Sequence, residues 1–370
     1  MNKMIIKRIE LENFRNIAHE TFDPSPGTNV IFGDNAQGKT NILESIFYLT
    51  CAKSFRGVRD RDLIKNGASD ARINAEIEAA GLRYVIDARL SSLKRKKIEI
   101  NGVSAKSVGE LSERLRAVLF SPEDLYLIKD GAAARRRFMD MAFSQLRPKY
   151  SQLVAKYNRL HDHKTRILKD WREKPSLLDA LPAFNRQMAE TGALIIGYRA
   201  RFMDKISTYA SSIHREISGE KESLTLEYKT VSTIDDPFAP SDVLADQIMR
   251  HTESHREAEL ASGSVLSGPH KDDIDIFINQ SNARIYASQG QTRTAALSLK
   301  LAERELFYRD CGEYPVLLLD DVLSELDGKR RDFVLNKIST GQVFITLCDS
   351  GDMSSYSGKS FEIVSGCVRR

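Results

Sequence analysis

The sequence predicts an α/β protein in which two sheet-forming segments flank a helical lobe. Three observations carry that expectation. Apolar residues alternate with period two through the first hundred positions, recur every three or four residues from Arg135 to Ile217, and form continuous aliphatic runs toward the far end. A chain of 370 residues also exceeds what one simple core holds, so two lobes are the natural arrangement.

In the first segment Ile5, Ile9 and Leu11 lead to the short apolar run Val30-Ile31-Phe32. Ile73, Ala75 and Ile77, then Leu82, Tyr84, Ile86, Ala88 and Leu90, keep the two-residue period of half-buried strands. Ile98 to Val103 closes the series around Asn101-Gly102, a dipeptide favoured in two-residue hairpin turns. From Arg135 to Trp171, Phe138, Met141, Tyr150, Leu153, Tyr157 and Leu160 take helical spacing, with a break near Pro148. From Phe184 to Ile217 the stripe is Met188, Ile195, Tyr198, Phe202, Ile206, Tyr209, Ile213 and Ile217. Leu177 to Pro182 is the expected turn, so these helices should run antiparallel as a short arm. Thr233 to Ser241, with Pro237 and Pro240, is the most linker-like stretch.

Beyond it, Ile274, Ile276 and Ile278 read as a strand and Ala295 to Phe307 as a helix. Val316 to Leu319 and Val343 to Leu347 read as buried strands. Continuous aliphatic strands alternating with helices imply a parallel sheet covered on both faces. The expected divisions are residues 1–125, 126–264 and 265–370.

Composition narrows the class. Hydrophobic residues at 41% and charged residues at 29% describe an ordinary soluble protein, and no apolar run is long enough to cross a bilayer. Charges interrupt the first eight residues, so no secretory leader is expected. Cys51, Cys311, Cys348 and Cys367 are scattered, which suits reduced thiols in a cytoplasmic protein. The net charge of +4 says little, but the basic residues cluster. Lys94-Arg95-Lys96-Lys97, Arg135-Arg136-Arg137, and Lys53 with Arg56, Arg59 and Arg61 are candidate contacts for nucleic-acid phosphates.

The chemistry sits in Gly33-Asp34-Asn35-Ala36-Gln37-Gly38-Lys39-Thr40, between the strand Val30–Phe32 and a helical pattern beginning at Asn41-Ile42-Leu43. This is the P-loop pattern. Its glycines let backbone N–H groups surround an anion, and the helix N-terminus adds partial positive charge. Lys39 can reach the β- and γ-phosphates, and the Thr40 hydroxyl can ligate magnesium. Leu317-Leu318-Leu319-Asp320-Asp321 is an apolar strand ending in two carboxylates. Asp320 can hold magnesium with Thr40, and Asp321 can orient or activate the attacking water. Lys39, Asp320 and Asp321 are therefore the candidate catalytic residues.

Ser288-Gln289-Gly290-Gln291 precedes a helix, and Ser324-Glu325-Leu326-Asp327 follows the second carboxylate. In that order the set resembles the ATP-binding-cassette class, in which a serine-led signature meets the γ-phosphate bound to a second subunit. The finer resemblance is to the RecF family of SMC-like DNA-repair ATPases. It is carried by Leu11-Glu-Asn-Phe-Arg15-Asn16, Phe120-Ser-Pro-Glu-Asp124-Leu, Arg135-Arg-Arg-Phe-Met-Asp140 and Ser267-Gly-Pro-His-Lys-Asp-Asp273.

The resemblance implies a P-loop ABC-type ATPase head, a mixed β lobe plus parallel-sheet core, with an inserted helical lobe forming the short arm. It implies ATP and Mg2+ as cofactors. Arg15, Asn16, Asn41 and Asp327 join the nucleotide contacts, with Ser288 to Gln291 supplied by a second copy. It further implies a homodimer on ATP binding, single-stranded and gapped duplex DNA as partners, and no membrane. RecR, and in some members RecO, would act with it to load RecA and promote the SOS response. Slow, DNA-stimulated hydrolysis would reset the clamp. The alternative is the ATPase subunit of a membrane transporter.

Some positions depart from the cassette pattern. Asp321 stands where many cassettes have Glu, and no histidine follows His270. Thr346, Asp349 or Ser350 are the candidates for the switch position, and Glu123 or Asp124 for the missing glutamine. Without the resemblance, Arg15 is an exposed arginine after a buried phenylalanine. Arg293 either contacts phosphate or caps a neighbouring element.

Overall fold

The computed structural model describes residues 4–338, 340–348 and 358–369. They form two compact units, Met1–Tyr126 with Arg293–Arg370, and Leu127–Thr292.

The chain begins with β1 (Ile5–Phe14), β2 (Ile17–Phe22), β3 (Thr28–Phe32), α1 (Lys39–Cys51), β4 (Asp70–Ala79) and β5 (Leu82–Ser91). Next come β6 (Lys97–Ile100), β7 (Val103–Ser104), α2 (Gly109–Ser112) and β8 (Ala117–Phe120). An antiparallel sheet has the order β2-β1-β4-β5-β6-β7. Ile9, Leu11 and Phe14 of β1 face its core, and a bulge between Ile6 and Arg8 lets Lys7 and Arg8 both reach solvent. The β6–β7 hairpin turns at Asn101 and Gly102, both with positive φ, as a primed two-residue turn requires.

The second unit contains α3 (Ala132–Leu146), α4 (Pro148–Asp170), α5 (Leu181–Ser218), β9 (Leu224–Lys229), α6 (Ser241–Ser254) and α7 (Arg256–Ser262). β10 (Asp273–Ile278), β11 (Ser281–Asn282) and α8 (Ala283–Tyr286) follow. Pro148 and Pro182 fall in the first turns of α4 and α5, where a missing N–H has no intrahelical partner to lose. The 38 residues of α5 span about 57 Å. His163 meets Phe184 with ring centroids 6.0 Å apart, and Tyr150 meets Tyr198 at 5.8 Å. Later residues of α4 thus meet earlier residues of α5, the antiparallel arm expected.

Two expectations are corrected here. β10 pairs antiparallel with β9, Asp273 opposite Lys229, rather than joining the parallel sheet. That pairing draws residues 265–292, grouped by sequence with the last segment, into the second unit. Nor is Thr233 to Ser241 a linker. Ile234 and the preceding Val231 pack with Ala189, Ala193, Ile196, Leu244 and Ile248, while the Thr233 hydroxyl donates to the Gln247 carbonyl at 2.8 Å.

The rest comprises α9 (Gln289–Cys311), β12 (Val316–Asp320), α10 (Gly328–Lys337), β13 (Val343–Leu347), β14 (Lys359–Val364) and β15 (Cys367–Arg369). The second sheet of the first unit has the order β15-β14-β3-β13-β12-β8, parallel except for β15. Every residue of β8, β12 and β13 is buried, the signature of strands covered on both faces. β13 lies between β3 and β12, with Leu347 opposite Phe32 and Asp320 opposite Thr346. The carboxyl ends of these three strands therefore meet, the usual place for a ligand in such a sheet.

Candidate nucleotide site

The loop after β3 is shaped by its glycines. Gly33 has φ of 143°, and a Cβ there would lie 2.4 Å from the Ile363 carbonyl oxygen. Gly38 has φ of 113°, and a Cβ would meet the Asn16 amide at 2.7 Å. Neither position accepts a side chain without distortion. The first turn of α1 carries no acidic residue, so its N–H groups and positive dipole end face the loop unopposed. Lys39 is buried, and its Nζ donates across the loop to the carbonyls of Gly33 and Asp34.

The two halves of the first unit meet at Asp320. The Thr40 hydroxyl donates to Asp320 Oδ1 at 2.8 Å, and the Thr346 hydroxyl donates to the same oxygen at 3.0 Å. The Asp321 N–H donates to Thr346 Oγ1 at 2.8 Å. Burial pushes the Asp320 carboxyl above its ordinary range, opposed by the Thr40 and Thr346 hydroxyls. Asp321 has φ of 52°, and the Ser324 hydroxyl donates to its carbonyl at 2.7 Å.

Cys348 escaped the sequence reasoning. Its thiol lies 3.0 Å from Asn35 Oδ1, 3.2 Å from Asp321 Oδ2 and 3.9 Å from Lys39 Nζ. Burial and the neighbouring Asp321 raise its pKa. The available signal was position, two residues beyond Thr346 at the end of a buried strand. Of the switch candidates, Thr346 touches Asp320, while Asp349 and Ser350 lie outside the described residues.

Arg15 and Asn16 come to the same loop. Arg15 is mostly buried rather than exposed, and its guanidinium grips Glu44 through two bonds of 2.9 and 3.0 Å. Glu44, fully buried on α1, also accepts from the Ser54 hydroxyl. It was not singled out from sequence, although it is a lone carboxylate in an otherwise apolar helical stripe. Asn16 Nδ2 donates to the Gln37 carbonyl at 2.8 Å, and its Oδ1 accepts from Asn41 Nδ2 at 2.8 Å. Arg15, Asn16, Asn41, Arg56 and Lys65 line a cleft of about 510 Å³.

In the second unit, Ser288 and Gln291 form a reciprocal capping box at the start of α9. Ser288 Oγ accepts the Gln291 N–H at 3.2 Å, and Gln291 Oε1 accepts the Ser288 N–H at 3.0 Å. Gln289 and Gly290 complete that first turn. Lys129 Nζ donates to the carbonyls of Ala283, Arg284 and Ala287, fixing the preceding turn. Ile285 and Tyr286 on that turn are strongly exposed.

Other candidates have internal partners. Asp327 accepts the Arg330 N–H at 2.9 Å and caps α10. Asp124 Oδ2 accepts from the Ser121 N–H and hydroxyl at 2.8 and 3.1 Å. Arg293 pairs with Glu325 at 3.0 Å. The segments 135–140 and 267–273 build a buried polar network. Arg199 bonds Asp272 and the Pro269 carbonyl at 2.6 Å each and Asp140 at 2.8 Å, while Arg135 grips Asp273.

The RecF/RecN/SMC N terminal domain model matches residues 5–364. The DNA replication and repair protein RecF of Clostridium perfringens (strain SM101 / Type A) is 37% identical over 369 residues, covering 99% of this chain and all of that one. The chain belongs to the RecF family. The RecF of Lachnospira eligens is 40% identical over 345 residues, 93% of this chain and 92% of that one. A solved structure of the recombination mediator protein RecF-ATPrS in the RecFOR pathway is 34% identical with a TM-score of 0.93, covering 99% of this chain and 98% of the other. An Smc head domain from Pyrococcus furiosus, 17% identical with a TM-score of 0.56 over 99% of this chain and 95% of that one, shares the fold. The SMC-like head architecture thus extends to this family member. Among the described residues, no helix is long and apolar enough to cross a membrane.

Proposed function

We propose that this RecF family member is an ATP-dependent DNA-binding clamp of recombinational repair and replication, acting in the cytoplasm. The observation that carries the reading is the Thr40–Asp320 contact at the mouth of the Lys39 loop. A hydroxyl and a buried carboxylate sharing one oxygen contact, with no arginine or lysine among the described residues bonded to that carboxylate, form a hard-oxygen donor pair suited to magnesium. Mg2+, held by Thr40 and Asp320, would neutralise charge on the β- and γ-phosphates of ATP. Gly33 to Thr40 cradle the phosphates, Lys39 contacts the γ-phosphate, and Asn16 and Asn41 keep the loop in shape. The 510 Å³ cleft beside Arg15 is the place for the base and sugar.

Two copies complete the site. Ser288 to Gln291 of a second copy offer a serine hydroxyl and a helix N-terminus to the γ-phosphate. Exposed Ile285 and Tyr286 beside them supply apolar surface for that dimer. The γ-phosphate is bridged only when the copies close, so ATP favours the closed state and hydrolysis releases it. Asp321 orients the attacking water. Being one methylene shorter than the usual Glu, it suits slow, DNA-stimulated turnover. The closed clamp would hold single-stranded or gapped duplex DNA and, with RecR and RecO, promote RecA loading and the SOS response. Full-length similarity to RecF proteins favours this over a transporter subunit.

The test is retention of a gapped duplex with Mg-ATP and with Mg-ADP. Retention in ATP that collapses in ADP is expected. Equal retention in both would contradict the clamp.

A further inference from the structure

The sequence holds three basic clusters, and the fold treats them differently. Arg135 is buried against Asp273, and Arg136 donates to the Asp272 carbonyl at 2.7 Å, so that cluster is largely internal bracing. The other two, Lys53 to Arg61 and Lys94 to Lys97, lie about forty residues apart yet meet at the far end of the P-loop helix. Lys96 makes the junction. Its Nζ donates to the Ala52 carbonyl, the C-cap of α1, at 2.6 Å, and lies 3.0 Å from Asp60 and 3.3 Å from the Tyr48 hydroxyl. A cation on the last carbonyls of a helix is electrostatically favoured, so the junction is stable without help from a ligand.

The merged surface is strongly charged. Residues 53–62 and 92–97 contain eight Lys or Arg and two Asp, so their local excess of positive charge is larger than the +4 of the whole chain. Lys53, Arg56, Arg59, Arg61, Lys94, Arg95 and Lys97 are all exposed. Among the described residues Lys53, Lys94 and Arg95 form no ion pair, whereas Lys97 pairs with Glu99, Arg61 with Asp62, and Arg56 with Glu44 on the side of the nucleotide cleft. Unpaired, exposed cations on both sides of a fixed junction suit a regularly spaced polyanion.

We propose that residues 53–61 and 92–97 form one surface that contacts the phosphate backbone of DNA, its two halves held in place by Lys96. This rests on the DNA-binding reading above and deepens it by assigning the surface. Phosphate contacts carry the salt dependence of DNA binding, each worth about 0.9 in the slope of log affinity against log salt on duplex DNA.

The experiment measures affinity for a fluorescent gapped duplex by anisotropy across a salt series, with Mg-ATP, using the full chain. Lys94→Glu with Arg95→Glu should weaken binding at least about tenfold and flatten the slope by about 2. Lys53→Glu should weaken it severalfold. Lys96→Met should weaken it although Lys96 itself is turned inward, and Lys96→Arg should restore it. Arg137→Glu, in the third cluster, should stay within about twofold of the parent. If the Lys94/Arg95 variant keeps parental affinity and slope, or Arg137→Glu loses as much, the surface is wrong while the DNA-binding reading stands. If the unaltered protein does not bind the duplex, both fall.

Discussion

Asp320 in the first unit and Asp272 in the second are both buried aspartates, and they differ in their donors. Asp320 is held by the hydroxyls of Thr40 and Thr346. Asp272 is held by the Arg199 guanidinium and the Tyr228 hydroxyl, and Arg199 reaches on to Asp140 and Tyr150. Burial raises the pKa of both carboxyls, but among the described residues only Asp272 has a cation hydrogen-bonded to it. A carboxylate already neutralised by arginine braces the structure. One fed by hydroxyls at the mouth of a phosphate loop keeps its charge available to an incoming cation. The same residue type thus serves shape in one unit and, in the proposed nucleotide site, is left open to chemistry in the other.

The largest effect should come from breaking the brace. Arg199→Met leaves Asp140 and Asp272 without their cation, and removing one partner of such a buried pair typically costs about 3–5 kcal/mol. Urea unfolding of the full chain would read it, and a loss below about 1 kcal/mol would mean the network braces little. Asp320→Asn should do the reverse. ATP turnover should fall about 100-fold, equivalent to about 2.7 kcal/mol in the barrier, with folding stability kept or increased. An Asn variant that unfolds more easily at neutral pH would remove the contrast.

The pH dependence sharpens it. Asp320 has a raised pKa in the folded protein, so its contribution to stability is present below the ordinary carboxylate value of 3.8 and is lost as pH rises through the raised value. Asp273 has the opposite sign. Burial works against its charge, but Arg135 and the Ile274 N–H more than offset that and lower its pKa. Its contribution is present above 3.8 and is lost as pH falls through the lowered value. Urea titrations should show Asp320→Asn gaining on the parent as pH rises above 3.8. Asp273→Asn should lose its deficit as pH falls below 3.8. Matching trends would refute the distinction. The smallest effect belongs to Ser288→Ala, which removes half of a capping box and should cost about 1 kcal/mol by the same unfolding measurement.

The chemistry-bearing strands were the most legible part. β12 and β13 are short, mostly apolar runs buried at every position, and the glycine pattern after β3 admits few other conformations. Less legible were features set by distant partners. Ile274, Ile276 and Ile278 alternate as any half-buried strand does, and nothing local says that β9 rather than the parallel sheet receives them. α9 runs past its apolar stripe at both ends, and within the stripe Lys300 and Glu303 pair inside the core, where an amphipathic pattern places solvent. At the site, Lys39, Thr40 and Asp320 could be named from motif spacing. Glu44 and Cys348 could not, because their roles depend on Arg15 and Asp321, which the fold brings to them.

The central claim is that two copies of this chain close on ATP, and molar mass by light scattering tests it most directly. With Mg-ATP the mass should approach twice the 41.7 kDa of one chain, and with Mg-ADP it should return to one. Ser288→Arg should remain at one chain in both nucleotides. A dimer that forms equally with ADP, or a Ser288→Arg protein that dimerises normally with ATP, would contradict the account.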